Sequence, residues 1–200
     1  HVVKVSVDRS DMQVMTPGVG LEWFPVLTGD GQTLAFVGAT AQRPPLPCVM
    51  PANGGEIKIL ATDLLPASYP STDLVTPKQV VFKTPDGFTV HGQLFEKTGG
   101  SAKKPAIVYV HGGPPRQMLL GWHYSDYYAN AYAMNQYLAS RGFVVLSVNY
   151  RLGIGYGFEF HNPKNGGGYG ASEYTDIKAA GEWLAKQNQV DSKRIGVYGG

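Results

Sequence analysis

The spacing of apolar and polar residues divides the chain into two regions with different predicted structures. In the first 60 residues, short segments alternate apolar and polar positions, and turn residues such as Asp30-Gly31 separate them. This pattern predicts antiparallel β-strands joined by tight turns. The predicted strands cover 2–7, 12–15, 21–27, 33–37 and 56–60, and the proline-rich stretch 43–47 is interpreted as a rigid loop. Such strands build sandwiches, barrels and propeller blades alike, so the pattern leaves the architecture open.

A stretch rich in proline, serine and threonine, residues 61–78, marks the predicted boundary between two domains, 1–75 and 76–200. Beyond it, a hairpin is predicted over 79–83 and 88–95. Continuous apolar runs at 105–110, 143–148 and 195–198 then predict strands buried on both faces. The segments between these runs have helical spacing. This alternation predicts a doubly wound parallel α/β sheet whose functional loops lie at the carboxyl ends of the strands.

Two amphipathic helices are predicted between the three buried strands. The first is expected to end at Gly142, and the second to begin at a capping Ser172. Each helix is expected to present one apolar face to the sheet. The first face consists of Tyr127, Ala131, Met134 and Leu138, and the second of Tyr174, Ile177, Ala180 and Leu184.

Composition narrows the classes of partner. The chain has 200 residues, of which 43% are hydrophobic and 16% charged, which is enough for a buried core. Its net charge of +2 is scattered, so the basic stripe of a nucleic-acid-binding protein is missing and we expect no nucleic-acid partner. The apolar runs are far shorter than the roughly 18 to 20 residues of a membrane helix. Cys48 is the single cysteine and is expected to fill apolar space.

The ends of the sequence suggest an excerpt from a longer protein. The first residue is His1 rather than methionine, no leader-like segment follows it, and the chain stops abruptly at Gly200. Localisation therefore stays open between the cytoplasm and the periplasm, and so does the oligomeric state.

The loop after the first buried strand is the first candidate for catalysis. It reads His111-Gly112-Gly113-Pro114. Glycines at such a position let a backbone N–H approach a substrate oxygen, as an oxyanion hole requires. In α/β-hydrolases a loop of this type supplies one of the two N–H groups. We therefore predict that Gly112 and Gly113 form an oxyanion loop and that His111 positions it.

The loop after the second buried strand is interpreted as structural. Its glycines at 153, 155 and 157 do not have the G-x-G-x-x-G spacing of a dinucleotide site, and no helix is expected directly after them. Tyr150, Arg151 and Tyr156 are assigned to the structure of this loop. Arg151 is expected to pair with a neighbouring acid, and Glu173 and Asp176 are the acids available on the following helix.

The third strand ends in Gly199-Gly200, which fits the first two positions of a G-x-S-x-G nucleophile elbow. The nucleophilic serine is then expected directly after Gly200. In this fold the acid and the base follow the serine along the chain, so no member of the triad is expected among residues 1–200. The five histidines have no zinc-site spacing, and no metal site is predicted.

These motifs, in this order, resemble the start of the catalytic domain of the prolyl oligopeptidase family of serine peptidases, nearest its acylaminoacyl-peptidase and dipeptidyl-peptidase IV branches. The resemblance covers 79–200. It rests on Asp86-Gly87, His111 to Pro114, Ser147-Val-Asn-Tyr-Arg151, Gly155-Tyr-Gly157, Glu173-Tyr-Thr-Asp176 and Arg194 to Gly200. Residues 1–60 look like the last blades of the β-propeller that precedes this domain in the family. The implied fold is an α/β-hydrolase preceded by all-β propeller blades.

The resemblance implies peptide hydrolysis by acyl transfer, with no metal or organic cofactor. Gly113 would supply an oxyanion N–H, as its counterpart does in acylaminoacyl peptidases. Dipeptidyl peptidases of the family carry a tyrosine where His111 stands, so His111 favours the version that uses the backbone. The choice between exopeptidase and endopeptidase stays open. Two alternatives remain, an esterase or lipase and a non-catalytic binding protein of the same architecture.

Overall fold

The protein is described by a computed structural model, which covers residues 1–100, 102–167 and 171–200. The chain forms two compact units, His1–Leu74 and Val75–Gly200. Both are built on β-sheets, and the long helices belong to the second unit.

The first unit contains two antiparallel sheets. The smaller pairs β1 with β2, and the larger has the order β3-β4-β5-β6. A 3₁₀ turn, Thr62–Leu64, follows the last strand. The strands are β1 Val3–Val5, β2 Met12–Val14, β3 Leu21–Leu27, β4 Thr33–Ala39, β5 Leu46–Pro51 and β6 Lys58–Ile59.

Strand β5 was not predicted from the sequence, which indicated only a loop at 43–47. Pro47 and Pro51 both lie in this strand and pair with β4. Proline has no N–H to donate to the hydrogen bonds between strands, so a segment with two prolines is not predicted as a strand from its sequence. The alternation of buried Leu46, Cys48 and Met50 nevertheless has the period of a strand with one face in the core. The prediction that Cys48 fills apolar space is confirmed, because it lies within this buried cluster.

The second unit contains a five-stranded sheet with the order β11-β9-β10-β8-β7. β9, β10 and β11 are parallel, whereas β8 is antiparallel to both β10 and β7. The sheet is therefore mixed rather than purely parallel. Its strands are β7 Lys78–Lys83, β8 Thr89–Phe95, β9 Lys104–Val110, β10 Val144–Asn149 and β11 Val190–Gly199. The helices are α1 Asp126–Ser140, α2 Phe158–His161 and α3 Ser172–Ala185.

The two long helices cover opposite faces of this sheet. Alternate residues of β10 separate the two cores, with Val144 and Leu146 packed in the cluster of α3 and Val145 in the cluster of α1. The α3 side is mainly aliphatic and includes Ala180 and Leu184. The α1 side is mainly aromatic, and its ring-bearing members are Phe95, Tyr109, Tyr128 and Tyr132.

The predicted apolar face of α1 is wrong by about one position. Tyr127 and Met134 are exposed, whereas Tyr128, Tyr132 and Asn135 are buried. Asn135 tolerates burial because its Oδ1 accepts a hydrogen bond from the Tyr198 hydroxyl at 2.6 Å. A hydrogen bond from outside the helix thus allows a polar residue to lie on the buried face. The predicted end of the helix at Gly142 is confirmed, with a φ of +90°.

Three further expectations differ from the structure. Ser172 is the first residue of α3 rather than its cap, and its hydroxyl donates to Glu173 Oε2 instead of capping the helix. Tyr174, expected on the buried face, is exposed. Strand β11 was expected to be buried on both faces, but it is the edge strand of the described sheet, and Val197 is 66% exposed.

None of the described helices has the length and hydropathy that a membrane crossing requires. The longest two, α1 and α3, have 15 and 14 residues. A span of the bilayer needs about 20 predominantly apolar residues.

Candidate active site

The carboxyl ends of β9, β10 and β11 lie side by side. Val110 of β9 is paired with Val148 of β10 and with Gly199 of β11. The residues that follow these strands therefore meet at one edge of the sheet, as parallel strands require. The structure thus brings together the predicted site residues that directly follow the three strands, namely His111, Gly112, Gly113, Tyr150, Arg151 and Gly200.

The first and third loops touch each other. A Cβ added at Gly199 would overlap the carbonyl oxygen of Val110, so the close pairing of β11 with β9 leaves room for glycine alone. A Cβ added at Gly112 would lie 3.0 Å from the carbonyl oxygen of Gly200. The predicted oxyanion loop therefore packs directly against the predicted nucleophile elbow.

Two buried tyrosine hydroxyls hold the carbonyl groups of the first loop. Tyr150 donates to the carbonyl oxygen of His111 at 2.5 Å, and Tyr128 donates to that of Gly112 at 2.8 Å. In a planar trans peptide the N–H points away from the preceding C=O. Because the Gly112 carbonyl points towards Tyr128 in the interior, the N–H of Gly113 points away from it.

Gly113 has the geometry that an outward N–H needs. Its φ of +122° is strained for any residue with a side chain, and the residue is exposed. Among the described residues, no acceptor receives a hydrogen bond from this N–H. The group is therefore available to a ligand oxygen.

His111 is buried beneath this loop and uncharged at neutral pH. Its exposed fraction is 1%, and its ring stacks on Tyr150 with centroids 4.5 Å apart. Burial lowers the pKa of His111 to about 4. Its Nδ1 lies 3.1 Å from the carbonyl oxygen of Gly112, which can only accept, so this nitrogen carries the proton. A neutral, enclosed imidazole of this kind supports the loop and cannot act as a solvent-exposed base.

Arg151 forms the charged centre of the second loop. The residue is fully buried, and its guanidinium bonds Asp176 of α3 at 2.7 Å and Asp86 of the β7–β8 turn at 2.7 Å. The backbone N–H of Arg151 also donates to Asp176. The guanidinium lies 4.2 Å from the ring centroid of Phe88. One side chain therefore ties together a hairpin, a loop and a helix.

The charges in this group stabilise one another. Burial alone lowers the pKa of Arg151, but its hydrogen bonds to Asp176 and Asp86 raise that pKa above the ordinary value. The hydrogen bond from Arg151 lowers the pKa of Asp86. Of the two acids offered by the sequence, Asp176 is the partner, whereas Glu173 forms no ion pair with Arg151.

The remainder of the second loop is held by uncharged contacts. The Asn149 amide bonds both backbone groups of Met118 and the hydroxyl of Tyr156. Tyr156 also stacks on His91, with centroids 4.6 Å apart. One expectation is corrected here, because the single-turn helix α2 begins directly after Gly157. The spacing of the glycines still fails to match a dinucleotide loop.

Sequence reasoning missed Tyr128, Asn149 and Asp86 as parts of this site. Asp86 was considered only as part of the Asp86-Gly87 motif of the resemblance, and it lies 65 residues before its partner Arg151. Tyr128 was overlooked because the helical pattern was assigned to Tyr127. Within the described residues, no three His, Cys, Asp or Glu side chains are grouped as a metal site would need.

A comparison with protein families matches residues 129–200 to the prolyl oligopeptidase family. An uncharacterized peptidase of Bacillus subtilis, YuxL, is 35% identical over 127 residues, which are 62% of this chain and 18% of that protein. Dipeptidyl aminopeptidase BIII of Pseudoxanthomonas mexicana is 36% identical over 99 residues, which are 50% of this chain and 13% of the relative. The chain thus spans less than a fifth of either relative.

Solved structures show the same fold. A puromycin-hydrolyzing peptidase of Mycobacterium tuberculosis superposes with a TM-score of 0.78 at 22% identity, covering 99% of this chain and 30% of that one. Acylaminoacyl peptidase of Pyrococcus horikoshii superposes with a TM-score of 0.69 at 24% identity, covering 96% and 29%. The chain is therefore similar to the prolyl oligopeptidase family over residues 129–200, and it has the fold of these solved peptidases.

Proposed function

We propose that this chain supplies the oxyanion side of a serine-peptidase active site. In this proposal the second unit is the N-terminal half of an α/β-hydrolase domain, and the first unit is the C-terminal part of a β-propeller with its linker. Gly199 and Gly200 lead into the nucleophile elbow, and the serine occupies the next position of the intact protein.

The observation that carries the proposal is the orientation of the Gly113 N–H. The loop follows a buried parallel strand, its Gly112 carbonyl is bonded inward by Tyr128, and its Gly113 N–H has no acceptor among the described residues. Gly112 also packs against Gly200. A donor fixed in this way, beside the end of β11, suits an oxygen that gains negative charge in the transition state.

The proposed reaction is acyl transfer to the serine. The serine oxygen attacks the peptide carbonyl carbon, and a histidine further along the intact chain removes the serine proton and later gives it to the leaving amine. The carbonyl oxygen becomes an oxyanion that accepts hydrogen bonds from the Gly113 N–H and from the N–H that follows the serine. Water then hydrolyses the acyl-enzyme. His111 stays neutral and holds the loop during these steps.

Peptides are the proposed substrates. The match of residues 129–200 to a peptidase family supports this class, and relatives carry the names dipeptidyl aminopeptidase and acylamino-acid-releasing enzyme. The first loop approaches its target through backbone groups, which suits the backbone carbonyl common to all peptides.

The experiment that tests this function is labelling with a fluorophosphonate probe, which reacts with activated serines. The intact protein should be labelled in proportion to its loss of peptidase activity, and replacing the residue after Gly200 with alanine should abolish both. Residues 1–200 expressed alone are the matched control and should remain unlabelled. Labelling of that fragment, or full activity of the alanine variant, would show that the nucleophile lies elsewhere.

A further inference from the structure

A pocket of about 390 Å³ opens beside the proposed oxyanion donor. Its volume lies within the range of small-ligand sites. Most of its wall is apolar or aromatic, and one acid lines it. The lining residues are Gly113, Pro114, Tyr150, Leu152, Glu173, Tyr174 and Ile177.

The acid in this pocket, Glu173, has an unused hydrogen-bonding position. One carboxylate oxygen, Oε2, accepts a bond from the Ser172 hydroxyl at 3.3 Å. The other, Oε1, is buried and has no partner among the described residues. A buried carboxylate oxygen without a donor is costly, so its presence requires an explanation. A ligand that brings a donor into the pocket would satisfy it once the Glu173 side chain turns this oxygen towards the pocket.

The charges around the pocket favour a cationic donor. The buried cation Arg151 is already shared by Asp176 and Asp86 and forms no ion pair with Glu173. The Glu173 carboxylate therefore has no counterion among the described residues of the pocket. It is also close enough to Tyr150 to contribute, after burial and Tyr128, to a rise in the Tyr150 pKa to about 12.

We propose that Glu173 is a specificity-determining residue that binds a cationic group of the substrate, carried on an apolar stem, next to the scissile bond. The stem packs against Tyr150, Tyr174 and Ile177, and the cation donates to the Glu173 carboxylate. The proposal rests on the proposed function, because Gly113 lies in the wall of the same pocket and fixes the position of the carbonyl. A lysine side chain and a free amino terminus are the two sources of such a cation.

Three coumarin amides, assayed with the intact protein, test this specificity. They carry acetyl-lysine, acetyl-norleucine and unblocked norleucine, so that the cation sits on the side chain, is absent, or sits on the amino terminus. The Glu173→Gln variant should lower kcat/KM by about 10-fold for a cationic substrate, which is the effect of losing one charged hydrogen bond. It should leave acetyl-norleucine unchanged. The substrate that loses activity identifies the source of the cation.

A matched control variant tests whether the effect is specific to Glu173. Glu182 lies on the same helix, is about half exposed and faces Lys178 rather than the pocket. Glu182→Gln should change none of the three rates. The proposal is overturned when Glu173→Gln changes all three rates equally or changes none of them.

A binding measurement separates failure of this proposal from failure of the proposed function. Saturation-transfer NMR on the same intact protein compares the amides of acetyl-lysine, acetyl-norleucine and norleucine, and it requires no turnover. Weaker binding of a cationic amide to Glu173→Gln than to wild type supports the pocket, even where no substrate is cleaved. Equal binding of every amide to both proteins, or no binding at all, refutes it. Absent cleavage together with absent fluorophosphonate labelling counts against the peptidase assignment instead.

Discussion

The two loops that follow β9 and β10 are held by different interactions. The second loop is anchored by a buried guanidinium between two carboxylates, with contacts at 2.7 Å to each. The first is held by uncharged hydroxyls, which bond the carbonyl groups of His111 and Gly112 and leave the Gly113 N–H without an acceptor among the described residues.

The ion pairs make the second loop rigid, whereas the hydroxyl bonds set the orientation of a peptide group in the first loop. A buried ion pair with all its partners resists movement, because breaking it strands a charge in the interior. Hydroxyl bonds to a backbone carbonyl cost less to lose, but they orient a peptide plane and hence the N–H on its other side. Tyr150 belongs to both regions, since its backbone precedes Arg151 and its hydroxyl supports His111. The second loop, through Tyr150, therefore also positions the first loop, which carries the proposed oxyanion donor.

The largest effect is expected from Arg151→Met. Removal of the guanidinium leaves Asp176 buried without its cation, which should lower the free energy of unfolding by about 3–5 kcal/mol. Urea unfolding of residues 1–200, followed by circular dichroism, measures it. Arg194→Met is the control, because its pair with Asp191 is largely exposed and its loss should cost less than about 1 kcal/mol. Equal losses in both variants would contradict a structural role for Arg151.

A smaller effect, confined to catalysis, is expected from Gly113→Val in the intact protein. A β-branched residue cannot adopt a φ of +122° without strain, so the N–H moves from its position. Loss of one oxyanion donor should lower kcat by about 100-fold while the protein stays folded. Gly99→Val introduces the same strain, at a φ of +108°, in a loop away from the site. A similar fall in kcat in that variant would refute the proposed role of Gly113.

The smallest effect should come from Tyr128→Phe, which removes the hydroxyl that holds the Gly112 carbonyl. The free energy of unfolding should fall by about 1 kcal/mol, and kcat of the intact protein by about 3- to 10-fold, because the Gly113 N–H loses its fixed orientation. Tyr137→Phe provides the comparison, since this tyrosine lies exposed on the same helix. An unchanged kcat in Tyr128→Phe would show that the hydroxyl does not orient the loop.

The predictions from sequence succeeded where a signal is local. Strand β3 was predicted with its full range, and β10 within one residue at either end, because their apolar positions have a short period. The predictions failed where a contact with a residue far along the chain outweighed the local sequence pattern. The two prolines of β5 made this strand unrecognisable from the sequence, although both are paired with β4. In α1, the polar Asn135 lies on the buried face, where it accepts a hydrogen bond from Tyr198.

The sequence by itself determined the order of strands and glycine-rich loops, and from that order the resemblance to the prolyl oligopeptidase family and the choice of His111, Gly112 and Gly113 as candidates. These follow from periodicity and from backbone conformations that only glycine adopts easily, which are properties of a few adjacent residues. Only the tertiary structure decided what supports the candidates. Tyr128, Asp86 and Glu173 acquire their positions from packing between segments far apart in the chain, and a hydrogen bond or an ion pair exists only once folding brings its two partners together.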